Sequence, residues 1–147
     1  MRKIMIGLIA AISVAACGGS SGDDRDTQNS PTEGQTIAAP TISSKATPIG
    51  GSNLNMNTDG NDYLVKFDGS ANLTLSASFN NVWIADNQAI GSFYLSGSNN
   101  MIVFRPGSNV MSMKVTGRSN TIYIPTGANI VAAGADKNGN SVKFYTR

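Results

Sequence analysis

The chain has 147 residues, of which 40% are hydrophobic and 14% charged, with eleven Lys and Arg, nine Asp and Glu, one cysteine and no histidine. That length holds one small domain at most. Without histidine there is no histidine-bearing zinc site and no Ser-His-Asp or Cys-His nucleophile, and one thiol makes neither an intrachain disulfide nor a zinc ribbon.

Met1, Arg2 and Lys3 form a short basic start, followed by an uncharged, mostly apolar run from Ile4 to Val14. The run is too short to span a bilayer, which takes about 20 apolar residues. It has the layout of a secretory signal: basic, then apolar, then small residues before a cut. Val14-Ala15-Ala16-Cys17 resembles the lipobox of bacterial lipoproteins. The resemblance implies cleavage after residue 16, thioether lipidation of Cys17 and acylation, for example by palmitate, of the new N-terminus. It also accounts for the position of the only cysteine. Residues 1–16 are thus expected to be a cleaved signal peptide, and the membrane is a partner through the anchor on Cys17. Gly18 after the cysteine, in place of an aspartate, favours the outer membrane if the cell is Gram-negative, by the sorting pattern of that class.

Arg2 and Lys3 leave with the signal, so the mature chain carries nine bases and nine acids. With no net basic charge, nucleic-acid binding loses its electrostatic premise, and so does attraction to anionic lipid. Residues 17–48 are rich in Gly, Ser, Thr, Asp and Pro, with Pro31, Pro40 and Pro48 along them. Such a segment buries too little apolar surface to offset its ordering entropy, and it reads as a flexible tether. Ile37 and Ile42 are its candidate docking points on the domain.

From residue 49 to 147 short alternating apolar runs are separated by Gly, Asn and Ser, the pattern of strands and turns. A 20-residue period runs through them. Asn80, Asn100, Asn120 and Asn140 mark it. Two places after each asparagine stand Val82, Ile102, Ile122 and Val142, and four after stand Ile84, Phe104, Ile124 and Phe144. Ten after stand Ile90, Val110 and Ile130, thirteen after stand Phe93, Met113 and Ala133, and fifteen after stand Leu95, Val115 and Ala135. Upstream the frame continues from Asn61 through Tyr63 and Val65, with one coil a residue short.

These spacings predict an all-β domain, a short parallel β-helix or solenoid of about five coils, with these positions inward and the asparagines stacked as a ladder at a corner. An antiparallel barrel or sandwich is the alternative, but hairpins do not require equal repeats. The strings Gly97-Ser98-Asn99-Asn100-Met101-Ile102-Val103 and Gly117-Arg118-Ser119-Asn120-Thr121-Ile122-Tyr123 resemble the Gly-x-x-Asn-x-Val/Ile repeat of the bacterial domain-of-unknown-function family 3060. That resemblance covers roughly residues 60–145, departs from the family in lacking repeat cysteines, and implies a small secreted or lipid-anchored protein with no activity attached.

The repeat region holds Asp59, Asp62, Asp68, Asp86 and Asp136 and no glutamate. A glycosidase needs two carboxyls about 5 to 9 Å apart, and Asp62 and Asp86 occupy different phases of the repeat. Calcium-roll and EF-hand motifs are absent. The expectation is therefore a non-enzymatic protein with no metal and no cofactor. The alternatives are a polysaccharide-acting enzyme using aspartates, or a unit that assembles end to end. The outward positions supply a candidate binding face, Trp83, Tyr123, Asn81, Thr121 and Lys143, in which aromatic and polar groups could meet a glycan or an envelope protein. Packing of Trp83 and Tyr123 against the tether is the competing reading.

Overall fold

A computed structural model describes residues 37–146; the expected signal segment, Cys17 and the expected tether up to residue 36 lie outside the described residues. Among the described residues all regular structure is strand: β1 (Thr47–Ile49), β2 (Asn53–Met56), β3 (Asp62–Val65), β4 (Ala71–Leu75), β5 (Asn81–Ile84), β6 (Ala89–Leu95), β7 (Met101–Phe104), β8 (Asn109–Val115), β9 (Thr121–Pro125), β10 (Ala132–Ala133) and β11 (Ser141–Tyr145). Sheet A has the order β1-β3-β5-β7-β9-β11, and sheet B the order β10-β8-β6-β4-β2. Every pairing within both sheets is parallel. The chain therefore winds from one sheet to the other and back, a two-sheet β-solenoid of about five turns. Hairpins would have placed sequential strands side by side and antiparallel.

The 20-residue repeat is a register. Val82 faces Ile102, and Ile102 faces Ile122, which faces Val142. Because the pleat alternates, one side of each strand looks inward. Val82, Ile84, Ile102, Phe104, Ile122 and Ile124 fill the core from sheet A, and Leu73, Leu75, Ile90, Phe93 and Leu95 fill it from sheet B. The rings of Phe93 and Phe104 meet edge to face, centroids 6.1 Å apart. No single coil can bury such a row; stacking makes it continuous.

The three-residue step from Ile90 to Phe93, and from Val110 to Met113, breaks strict alternation. In both strands two consecutive residues turn away from the core there, Gly91-Ser92 and Met111-Ser112. β4 lacks the extra residue: Ala71 faces Ile90, but Asn72 faces Ser92. This is the short coil. The last coil lacks it too. Ala132, and not the expected Ala133, lies opposite Met113, while Ala133 pairs with Lys114 and is exposed. With the extra outward residue gone, the inward place moves back by one.

The boundary of the domain also differs from expectation. Residues 37–48, assigned to the tether by composition, belong to the fold: β1 begins at Thr47, and Ile37 makes a parallel bridge with Tyr145.

Candidate binding faces and the asparagine corner

At the corner between the sheets, the residue before each ladder asparagine has a left-handed backbone: Gly60 (φ 72), Phe79 (φ 60), Asn99 (φ 56), Ser119 (φ 55) and Gly139 (φ 71). That turn aims the next side chain along the stack. The backbone N–H of Asn80 donates to Asn100 Oδ1 at 2.9 Å, that of Asn100 to Asn120 Oδ1 at 2.9 Å, and that of Asn120 to Asn140 Oδ1 at 2.8 Å. Each side-chain amide donates to the next asparagine's Oδ1, at 3.3, 3.1 and 3.0 Å. It also reaches a carbonyl one coil back: Asn100 Nδ2 to Ala77 O, Asn120 Nδ2 to Gly97 O and Asn140 Nδ2 to Gly117 O, each 2.9 Å. Asn80, Asn100 and Asn120 are buried, and every one of these polar groups is matched. At the last coil the N–H of Asn140 turns back to Lys137 O at 3.0 Å, which closes the ladder.

On the outer side of sheet A, register aligns Leu64, Trp83, Val103 and Tyr123 in one row, with Lys143 beside Tyr123. A second row holds Asp62, Asn81, Met101, Thr121 and Ser141. The phase is the expected outward one, yet Trp83 is 3% and Val103 1% exposed. The cover is the chain itself. Residues 37–46 run as a strap from the edge of β11, where Ile37 meets Tyr145, toward β1. Trp83 Nε1 donates to the carbonyl of Pro40 at 3.3 Å. Nearer β1, a hydrogen bond from Ser43, with the Asn81 amide and the Lys45 charge, holds the Asp62 carboxyl below its ordinary range.

The candidate binding face is therefore closed at its tryptophan. Asn81, Thr121 and Tyr123 are half-buried, Asn81 Nδ2 donates to Asp62 Oδ1 at 2.8 Å, and exposed Lys143 lies over the Tyr123 ring, 5.5 Å from its centroid. Trp83, the only tryptophan, should emit in the blue and resist acrylamide. Replacing Pro40 and Ile37 with glycine should shift the emission red and open it to the quencher, whereas an already red, quenchable Trp83 would contradict the strap.

Other chemistry is sparse. Among the described residues no group of three or more His, Cys, Asp or Glu could hold a metal. Asp62 is level with Asn81 at the start of β5, whereas Asp86 lies beyond that strand's end at Ile84. The three steps of β5 alone separate their levels by about 10 Å, before the turn that carries Asp86, beyond the spacing of a glycosidase pair. Asp86 pairs with Arg105 at 3.1 Å on the surface, a contact of little energetic weight. A shallow recess of about 420 Å³ at the other corner is lined by Asn87, Pro106, Gly107, Pro125, Thr126, Tyr145 and Thr146 and carries no charged side chain.

The outer side of sheet B was not singled out by sequence reasoning, although its outward positions follow from the same register. One row is Asn53, Asn72, Ser92 and Ser112, and another is Asn55, Thr74, Tyr94, Lys114 and Ala133. Neighbours in a row lie about 4.8 Å apart. Asn72 Nδ2 donates to Asn53 Oδ1 at 3.0 Å and Ser92 Oγ to Asn72 Oδ1 at 2.8 Å. Tyr94 is 41% exposed, and its hydroxyl accepts from Thr116 Oγ1 at 3.1 Å. Searches against family models, curated proteins and solved structures gave no significant match to this chain.

Proposed function

We propose that this chain is a non-enzymatic, lipid-anchored protein of the bacterial cell envelope that carries its β-solenoid as a rigid display body. In this reading the outer side of sheet B, rather than the strapped Trp83 strip, is the face offered to a glycan or to another envelope protein. The observation behind this choice is the strap: it occupies sheet A and leaves sheet B with exposed rows of amide and hydroxyl groups around Tyr94. Such groups match sugar hydroxyls, and an exposed tyrosine ring offers a stacking surface. The lipobox-like Val14-Ala15-Ala16-Cys17 supports the anchor, and the acyl chains would hold it stably, each buried CH₂ contributing about 0.8 kcal/mol. Radiolabelled palmitate should enter the wild-type chain and fail to enter Cys17→Ser, which should move from the membrane to the soluble fraction. Unchanged labelling and membrane association in Cys17→Ser would overturn the anchor.

A further inference from the structure

The nine acids and nine bases of the mature chain are not evenly spread. Residues 17–36 hold four acids (Asp23, Asp24, Asp26, Glu33) and one base (Arg25), leaving the rest of the chain with five acids and eight bases. The fold then sorts these along its axis. The first coils carry Asp59, Asp62 and Asp68 beside Lys45 and Lys66, and Asp86 and Arg105 pair in the middle. The last two coils carry Lys114, Arg118, Lys137 and Lys143, all exposed, against Asp136 alone. They surround that end: Lys114 is on the outer side of sheet B, next to β10, Lys143 is on the outer side of sheet A, on β11, and Arg118 and Lys137 occupy successive turns of one corner between the sheets, where the Ser119 N–H meets Asn138 O. Two large apolar side chains stand out on the same two coils, Met111 at 84% and Val131 at 71% exposure.

The entry point of the chain selects what this end faces. Ile37 joins the solenoid at Tyr145 of β11, on that same last coil. Twenty residues separate it from Cys17, a length whose root-mean-square reach is about 25 Å if the tether read from composition holds. We propose that the C-terminal end of the solenoid is a docking surface for the anionic lipid headgroups of the membrane in which the chain is anchored, with Lys114, Arg118, Lys137 and Lys143 against the headgroups and Met111 and Val131 at the acyl boundary. The orientation rests on the anchor reading; the surface chemistry does not. Each basic residue at an anionic surface strengthens binding about fivefold. A handful of such contacts is weak in free solution and sufficient for a body held nearby by its own tether.

The test removes the anchor. Mature chain bearing Cys17→Ser is sedimented with vesicles of phosphatidylcholine alone or mixed equally with phosphatidylglycerol. Binding should occur on the mixed vesicles only and fall as salt rises. Lys114→Glu with Lys137→Glu should weaken it at least tenfold, while Lys66→Glu at the opposite end leaves it within twofold, Trp83 emission confirming that each variant is folded. No binding, equal binding to both vesicles, an equal loss in both variants, or displacement by millimolar inorganic phosphate would each overturn the proposal. Since this protein carries no acyl chain, those results are independent of palmitate labelling at Cys17.

Discussion

Asn100→Ala should lower the unfolding free energy by about 3 to 5 kcal/mol, because it strips partners from several buried groups at once. Asn100 Oδ1 accepts from the Asn80 N–H at 2.9 Å and from Asn80 Nδ2 at 3.3 Å, and Asn100 Nδ2 donates to Ala77 O at 2.9 Å. Alanine leaves the Asn80 N–H and the Ala77 carbonyl inside the corner with nothing in their place, and each such group costs about 1 to 3 kcal/mol. An aspartate in place of Asn100 would restore the acceptor but not the donor, and would bury a charge, so Asn100→Asp should be no better than alanine. Urea unfolding followed by Trp83 fluorescence reads both. A small domain holds about 5 to 15 kcal/mol in all, so a change under about 1 kcal/mol would mean that the ladder does not carry the corner.

Gly97→Ala should cost about 3 kcal/mol or more, for want of space. Gly97 is buried, and a Cβ there would run into the carbonyl oxygen of Ala77, with Asn100 Nδ2 at 2.9 Å. The obstacle is backbone, which moves only if the coils separate, and the same carbonyl is the acceptor for Asn100 Nδ2. Gly117 meets the carbonyls of Gly97 and Ser96 in the same way. Gly91 is the control, since its Cβ would meet no backbone closer than the Ala71 carbonyl at an ordinary contact distance and, at 3.2 Å, only an exposed side-chain atom, Asn72 Oδ1, so Gly91→Ala should stay within about 1 kcal/mol. Equal costs at 97 and 91 would show that lost glycine freedom, and not close packing of coils, sets the penalty.

The repeat was readable because stacked coils demand equivalence. A residue such as Ile102 is tied through Val82 and Ile122 to a place, so periodicity in sequence becomes register in space. The paired glycines at 97 and 117 were visible as a period, although the carbonyl that requires them was not. Ala133 was misplaced because small residues do not reveal which of two neighbours faces the core. The strap stayed hidden for a different reason. Its bond to Trp83 uses the Pro40 carbonyl, a backbone group that every residue has, and residues 37–46 share no period with the repeats. The candidate face is thus in the expected phase throughout, and of its five residues Trp83 alone is fully covered. The charge division escaped a count for the whole chain because opposite excesses in tether and domain cancel in the total.

The strap joins the first described residue to the last coil, and this sets an order of events. A stack of nearest-neighbour coils can form from any point and grow outward. Ile37 leaves the ribosome, and any export channel, before every strand of the solenoid, yet its partner Tyr145 arrives after all the others. The Ile37 end of the strap therefore has no strand to join until β11 is in place. Full closure of the strap over Trp83 and Val103 accordingly waits for β11, so the cover is complete only in chains in which that strand has been made.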